Sequence, residues 1–290
     1  MFKTFVQVWR KRSAPVLTML ALCAAGVLPV QAQGATPLLF AVSEGSSGGG
    51  GAVTNQQMAT KYKPLIDVME RELGEKIQVR YVRDFRQLEE GMKSGQFDLV
   101  LARPSDYPAR GLRDYGYASI ATTQPDGHCL IVVNADSPLK TLEDAKGKRL
   151  ILPEPMAYMA KFCAAELRDQ GQAPDPATTT HVREQGAIPF ALKNGLVQVG
   201  GIASYSGVAR RLEKEGLRVL HRSRPQPYLP LIAHGRIDPE RKRRLGQALI
   251  ALTENAQAAQ ELAAIGLTGF DTSSSPRLLS LLDWLGDKPH

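Results

Sequence analysis

The chain has 290 residues, 36 of them basic and 29 acidic, for a formal net charge of +7. Four of the basic residues (Lys3, Arg10, Lys11 and Arg12) stand before position 33 with no acid among them, so the other 258 residues carry 32 basic against 29 acidic side chains, a net +3. So small an excess is a poor argument for nucleic-acid binding, and the length allows two lobes with separate cores.

Positions 1–32 read as an export signal. The four basic residues form its head, Ala14 to Val30 its apolar stretch, and Val30-Gln-Ala32 a small-residue cleavage site before Gln33. The apolar stretch is shorter than the roughly 20 residues a membrane helix needs, with Pro15 and Pro29 at its edges. Leu20-Ala-Leu-Cys23 resembles a lipoprotein signal, but bulky Leu22 stands where a small residue belongs before the cysteine. The expectation is a Sec signal peptide cleaved after Ala32 and a periplasmic location. Two cysteines remain, Cys129 and Cys163, and an even number in an exported protein permits a disulfide. The alternative is two small core residues, since Cys163 falls in line with Met156, Ala160 and Leu167.

The first elements after the leader are two βα units. Pro37-Leu-Leu-Phe-Ala-Val42 has strand character, and the glycine-rich Glu44-Gly-Ser-Ser-Gly-Gly-Gly-Gly51 follows it. Thr54 and Gln57 make a capping box, after which Met58, Tyr62, Leu65, Ile66, Met69 and Leu73 recur at helical spacing up to Gly74. Ile77-Gln-Val-Arg-Tyr-Val82 is a second strand. Asp84 opens a second helix with Leu88 and Met92 on one face, and Ser94-Gly-Gln-Phe-Asp-Leu-Val-Leu-Ala102 is a turn and a third strand. This alternation predicts a parallel α/β sheet, whose ligands sit at the C-terminal ends of the strands.

Arg103-Pro-Ser-Asp-Tyr107 is then a turn, Tyr117 to Thr123 a strand, and Pro125-Asp-Gly127 a strong turn signal. His128-Cys-Leu-Ile-Val-Val133 is a buried strand, and Thr141 faces Asp144 across a one-turn helix. Lys148-Arg-Leu-Ile-Leu152 is a further strand, followed by a helix to about Gln170 and a linker from Gly171 to Thr178. A short helix over 187–193, a strand over 197–203, a helix over 208–215 and strands over 217–221 and 228–233 come next. Asp238-Pro239 starts a helix with proline at its first position, and the rest is expected to be helical to Leu285. The basic run Arg241-Lys-Arg-Arg244 in its first turns reads as a solvated face.

Several stretches resemble one family. Tyr62-Lys-Pro-Leu65 with Leu73-Gly74, Gly95-Gln-Phe-Asp-Leu99, Ala135-Asp-Ser-Pro-Leu-Lys-Thr-Leu-Glu-Asp-Ala-Lys-Gly-Lys-Arg149 and Gly266-Leu-Thr-Gly-Phe270 are similar to the periplasmic substrate-binding proteins of phosphate/phosphite/phosphonate-type ABC importers. The resemblance runs from Pro37 to about Leu285. It implies an α/β chain with the type II periplasmic-binding-protein fold, two α/β lobes joined by a two-segment hinge. One lobe would hold residues 36–121 and 226–290, the other 125–220, with the hinge near 121–124 and 221–225. It also implies a small-molecule ligand held between the lobes and a permease of the inner membrane as partner. An accessory protein that senses a ligand for a membrane sensor kinase is the alternative.

In such a fold the cleft is lined by loops at strand C-termini and by helix N-termini, where free N–H groups favour anions. The candidate ligand-binding residues are Glu44, Ser46, Ser47 and Gly48; Arg103, Ser105, Asp106 and Tyr107; Ala157, Tyr158 and Met159; Gln185; and Ser204 and Tyr205. The Ser-Thr-Ser run usual in phosphonate binders reads Ala157-Tyr158-Met159 here, a Ser-His pair reads Glu184-Gln185, and an aspartate position falls on Ala203 or Ser204. The Gly-Pro-x-x-Tyr turn keeps its proline and tyrosine but starts with Arg103. The implied ligand is therefore small and anionic or polar, phosphonate-like or another oxyanion or carboxylate. Arg103 suits bidentate recognition of such a group, or else pairs with Asp106 or Glu154. Tyr62 is read as core. No hydrolase elbow or zinc-protease motif is present, and His128, His181, His221, His234 and His290 are scattered, so neither enzyme chemistry, a metal nor a cofactor is expected.

Overall fold

A computed structural model describes residues 36–44 and 53–288 of the chain. The leader, with its expected cleavage site, lies outside the described residues. The two βα units are present as β1 (Leu38–Ser43), α1 (Asn55–Lys61), α2 (Lys63–Leu73), β2 (Ile77–Tyr81), α3 (Phe85–Lys93) and β3 (Leu99–Ala102). The Thr54–Gln57 capping box forms in both directions, and the Asp84 side chain accepts from the amides of Arg86 and Gln87. Gly74 ends α2 in the left-handed region at φ +65°, a conformation that glycine adopts without strain. One expected helix became two. Pro64 has no N–H to continue the ladder, so the helix breaks at Tyr62 and restarts with proline in its first turn.

Next come α4 (Asp106–Asp114), read only as a turn from the sequence, and β4 (Tyr117–Gly127). The second lobe holds β5 (Cys129–Asn134), β6 (Leu150–Pro153), α5 (Tyr158–Asp169), β7 (Thr179–Val182), α6 (Ile188–Lys193), β8 (Val199–Ala203) and β9 (Leu217–Arg222). The chain then returns through β10 (Gln226–His234), α7 (Pro239–Leu252), α8 (Ala256–Ala264), β11 (Gly269–Asp271) and α9 (Ser275–Leu285). Two mixed sheets result, in the orders β11-β4-β10-β3-β1-β2 and β7-β6-β8-β5-β9. Within the first, β1 pairs in parallel with both β2 and β3. Phe40 and Val42 of β1 pack with Leu65 and Met69 of α2 on one face, and Ala41 packs with Leu88 and Met92 of α3 on the other. Burial on both faces is what a central parallel strand requires.

The chain passes between the sheets twice, from Gly127 to Cys129 and from Arg222 to Gln226. Residues 121–124, expected as hinge, are still paired to β10 and β11 within the first sheet. Cys129 of β5 and Cys163 of α5 are joined by a disulfide, with Cα atoms 5.3 Å apart. Gly201 of β8 lets α5 lie this close: a Cβ there would come within 2.5 Å of a Leu152 methyl and 3.0 Å of the Cys163 sulfur.

Two expectations are corrected. The helix over 208–215 is only a 3-10 turn at Ala209–Arg211. Val208 is its one fully buried apolar side chain, followed mostly by charged residues, too little apolar surface to dock a helix. The tail is not continuously helical either. Gly266 turns the chain at φ +82°, and β11 then pairs with β4. The last helix serves both lobes: Leu278 and Leu282 pack on Ala109 of α4, while Leu281 and Trp284 pack against the second lobe's core around Phe162.

Candidate functional site

A small cavity of about 30 Å³ lies between the lobes. Glu44, Phe85, Arg103 and Pro104 line it from the first lobe, and Pro153, Ala157, Tyr158, Met159, Gln185 and Tyr205 from the second. Hollows of about 330 and 430 Å³ lie elsewhere on the second lobe. The interlobe cavity is where the strand ends and helix N-termini converge.

The first-lobe wall is built from charged side chains. Glu44 directly follows β1 and is 4 % exposed. Its Oε1 accepts from the Lys61 ammonium and from the Tyr62 hydroxyl, and Nη2 of Arg103 lies 3.6 Å from the same oxygen. Burial alone would push the Glu44 carboxyl up, but Arg103, Lys61 and Tyr62 together hold it below the usual carboxylate range. It is therefore an ionised acid in a dry setting. Tyr62 is buried as the sequence suggests, and its polar end also carries the site. The Arg103 guanidinium sits 5.6 Å from the ring centroid of Tyr205 and 6.0 Å from that of Tyr228, and these two rings, one from each lobe, lie 4.4 Å apart. Arg103 Nε is buried with no hydrogen-bond partner among the described residues. The ion pair of Arg103 with Asp106 or Glu154 is not what forms; its partner is Glu44.

The second-lobe wall is built from backbone. Ala157 is the N-cap of α5 and has extended geometry (φ −70°, ψ 137°) but no side chain that can cap. A helix leaves its first N–H groups without internal acceptors, and the residues that carry them here, Tyr158 and Met159, are in the cavity wall. The helix dipole adds positive potential at that point. Gln185 is fixed through its Oε1, which accepts from the Ala203 amide at 2.9 Å, and this leaves its side-chain nitrogen as a donor. Burial raises the phenols of Tyr158 and Tyr205, so both hydroxyls stay protonated donors.

Of the residues singled out from the sequence, Glu44, Arg103, Ala157, Tyr158, Met159, Gln185 and Tyr205 meet at the cavity. Others lie behind it. Ser105 donates to the Pro227 carbonyl at 2.7 Å and ties the loop to β10. Asp106 is fully buried between Arg110 (3.2 Å) and Lys161 of the other lobe (3.6 Å). Tyr107 stacks on Phe85 at 5.3 Å and carries Arg110 over its ring, so Phe85 rather than Tyr107 reaches the cavity. Ser204 is bound at the first crossover, where its hydroxyl accepts from the His128 amide and its own amide donates to the His128 carbonyl. Ser46, Ser47 and Gly48 lie outside the described residues. Phe85, Pro104, Pro153, Lys61 and Tyr228 were not anticipated. Phe85 follows the end of β2, so the strand-end rule would have found it; Lys61 and Tyr228 join only through the tertiary fold. Among the described residues no group of three or more metal-ligating side chains occurs, and no helix is long and apolar enough to cross a membrane.

The two lobes are joined by a double crossover, and the half-buried Arg103 and the N-terminus of α5 face the cavity between them. Residues 52–276 match the family described as ABC transporter, phosphonate, periplasmic substrate-binding protein. The chain belongs to this family. Members of the phosphonate-transporter family are binding proteins that hand small-molecule ligands to a permease, not enzymes. Solved structures share the fold. XAC2383 from Xanthomonas citri, in a structure bound to ATP, is 19 % identical over 86 % of this chain and 97 % of its own, with a TM-score of 0.65. PhnD1 from Prochlorococcus marinus, in complex with methylphosphonate, is 12 % identical over 87 % of this chain and 100 % of its own, with a TM-score of 0.63. The periplasmic aliphatic sulphonate binding protein SsuA from Escherichia coli is 18 % identical over 86 % of this chain and 84 % of its own, with a TM-score of 0.55.

Proposed function

We propose that this protein is the solute receptor of an ABC importer, exported by residues 1–32, and that it captures a small anion between its lobes. The observation that carries the reading is the meeting, in one cavity, of the Arg103 guanidinium from the first lobe with the uncapped N-terminus of α5 from the second. Each supplies donors that a buried anion needs, because an unpaired charge in a dry cleft costs several kcal/mol. Because the donors come from both lobes, a ligand that engages them favours the closed arrangement, and closure is what a permease can recognise. The neighbours with methylphosphonate and ATP hold phosphorus oxyanions, which fits an anion site.

The test is isothermal titration of the chain from Gln33 onward, stripped of ligand by unfolding and refolding, with methylphosphonate, phosphate, methanesulfonate, acetate and amino acids. A bound anion is expected, with a stabilisation of about 2.7 kcal/mol at a hundredfold excess over Kd. No heat and no thermal shift with any anion would overturn the reading. Mass spectrometry of the exported protein is expected to show Gln33 as its first residue.

A further inference from the structure

The buried acid in the cavity wall has no role in holding an anion, and at first sight opposes it. Lys61 and Tyr62 bond Glu44 Oε1, and Arg103 lies beside that same oxygen. Oε2 accepts no hydrogen bond among the described residues, and the residue lines the cavity. Arg103 is thus shared: the guanidinium that faces the ligand is also the one beside Glu44. Glu44, Arg103 and the first residues of α5 line the same cavity, so an oxyanion bound there has this carboxylate among its neighbours.

We infer that Glu44 is a proton-counting filter, which admits head groups that carry a hydrogen-bond donor beside their negative charge and rejects fully ionised ones. The inference rests on the anion reading above and deepens it. Two ionised oxygens side by side repel, whereas a P–OH directed at a carboxylate makes a short charge-assisted bond. The charge balance agrees. Lys61 and Arg103 against Glu44 leave one net positive charge, which matches a monoanion. An alkylphosphonate monoanion has such a hydroxyl, and a sulfonate of the same shape and charge has none at any pH. A site built around a buried acceptor discriminates strongly against the analogue without the donor.

Methylphosphonate and methanesulfonate are the matched probes, titrated calorimetrically into the chain from Gln33 onward between pH 5.5 and 8.5. An alkylphosphonate gives up its second proton near neutral pH, as phosphate monoesters do at about pH 6. At the acid end methylphosphonate is expected to bind at least about 100-fold more tightly than methanesulfonate. Above its second ionisation its affinity should fall about tenfold per pH unit, while that of methanesulfonate stays flat. The groups facing Glu44 are Lys61 and Tyr62 from the α1–α2 junction, Tyr81 of β2, Arg103 after β3 and Tyr228 of β10. None of them is a histidine or a second carboxyl, so a fall near neutrality belongs to the ligand. In Glu44→Gln the amide donates to either head group, and the ratio should shrink to about threefold with the pH dependence gone.

Equal affinities in the wild type, or a ratio that survives Glu44→Gln, would overturn the filter while leaving the anion site standing. Failure of both probes and of every other anion overturns the anion reading, and the filter with it. Should Glu44→Gln lose its circular-dichroism signature of folding, the wild-type ratio and pH profile decide alone.

Discussion

The two walls of the cleft solve one problem with different materials. The first lobe presents Glu44 and Arg103, side chains ordered by ion pairs and tyrosine rings, whereas the second presents the peptide groups that open α5. A side-chain wall is as fragile as its weakest residue. A backbone wall survives most substitutions, because each residue type except proline brings the same N–H. On the proposed reading, the N–H groups that open α5 stand in for the hydroxyls missing from Ala157-Tyr158-Met159, while Arg103 has no such reserve.

The contrast is broken most directly at Arg103. Arg103→Ala is expected to weaken anion binding by about 3–5 kcal/mol, a loss of 100-fold or more by calorimetry. The second wall should instead fail through its scaffold. Cys129→Ala with Cys163→Ala opens a link between residues 34 apart in sequence, worth about 3–4 kcal/mol on loop-closure grounds. A fall in Tm of roughly 6–16 °C is expected, with a smaller change in Kd at 25 °C. A finer probe removes one peptide donor: Ala157 already has the extended backbone that proline requires of its predecessor. Tyr158→Pro should therefore bind anions about tenfold more weakly than Tyr158→Ala, at nearly equal Tm; equal affinities would mean that this amide is not a ligand. The smallest effect is on acid stability. The folded Glu44 carboxyl lies below its ordinary value of 4.5. Its contribution is thus complete above that pH and lost as pH falls through the depressed value. Glu44→Gln should flatten the loss of Tm below about pH 4.5.

Local chemistry was the legible part of the fold. Thr54, Asp84 and Gly74 act through neighbours two to four residues away and bound their elements where read, although Pro64 splits the first helix between Thr54 and Gly74. The segment 208–215 misled because its composition suits a helix while its surroundings supply no face to bury it. The strands β7 and β11 were missed because four and three residues carry no readable alternation. In the site, topology alone pointed to Arg103, Tyr158, Gln185 and Tyr205, since strand ends and helix starts converge whatever their side chains. The pairing of Arg103 was not readable. Glu44, Lys61 and Arg103 are separated by tens of residues, and only the packing of α1 beside β1 and β3 decides which carboxylate receives the guanidinium.

The C-terminal helix makes the protein its own optical gauge. Trp284 is the sole tryptophan beyond position 32. Its ring meets Phe162 edge-on at 5.4 Å and its indole N–H donates to Asp169, both in the second lobe, while Leu278 and Leu282 of the same helix rest on the first. If the lobes close as proposed, an indole anchored across that seam changes its surroundings, so ultraviolet emission from the unlabelled protein is expected to follow closure without an attached dye.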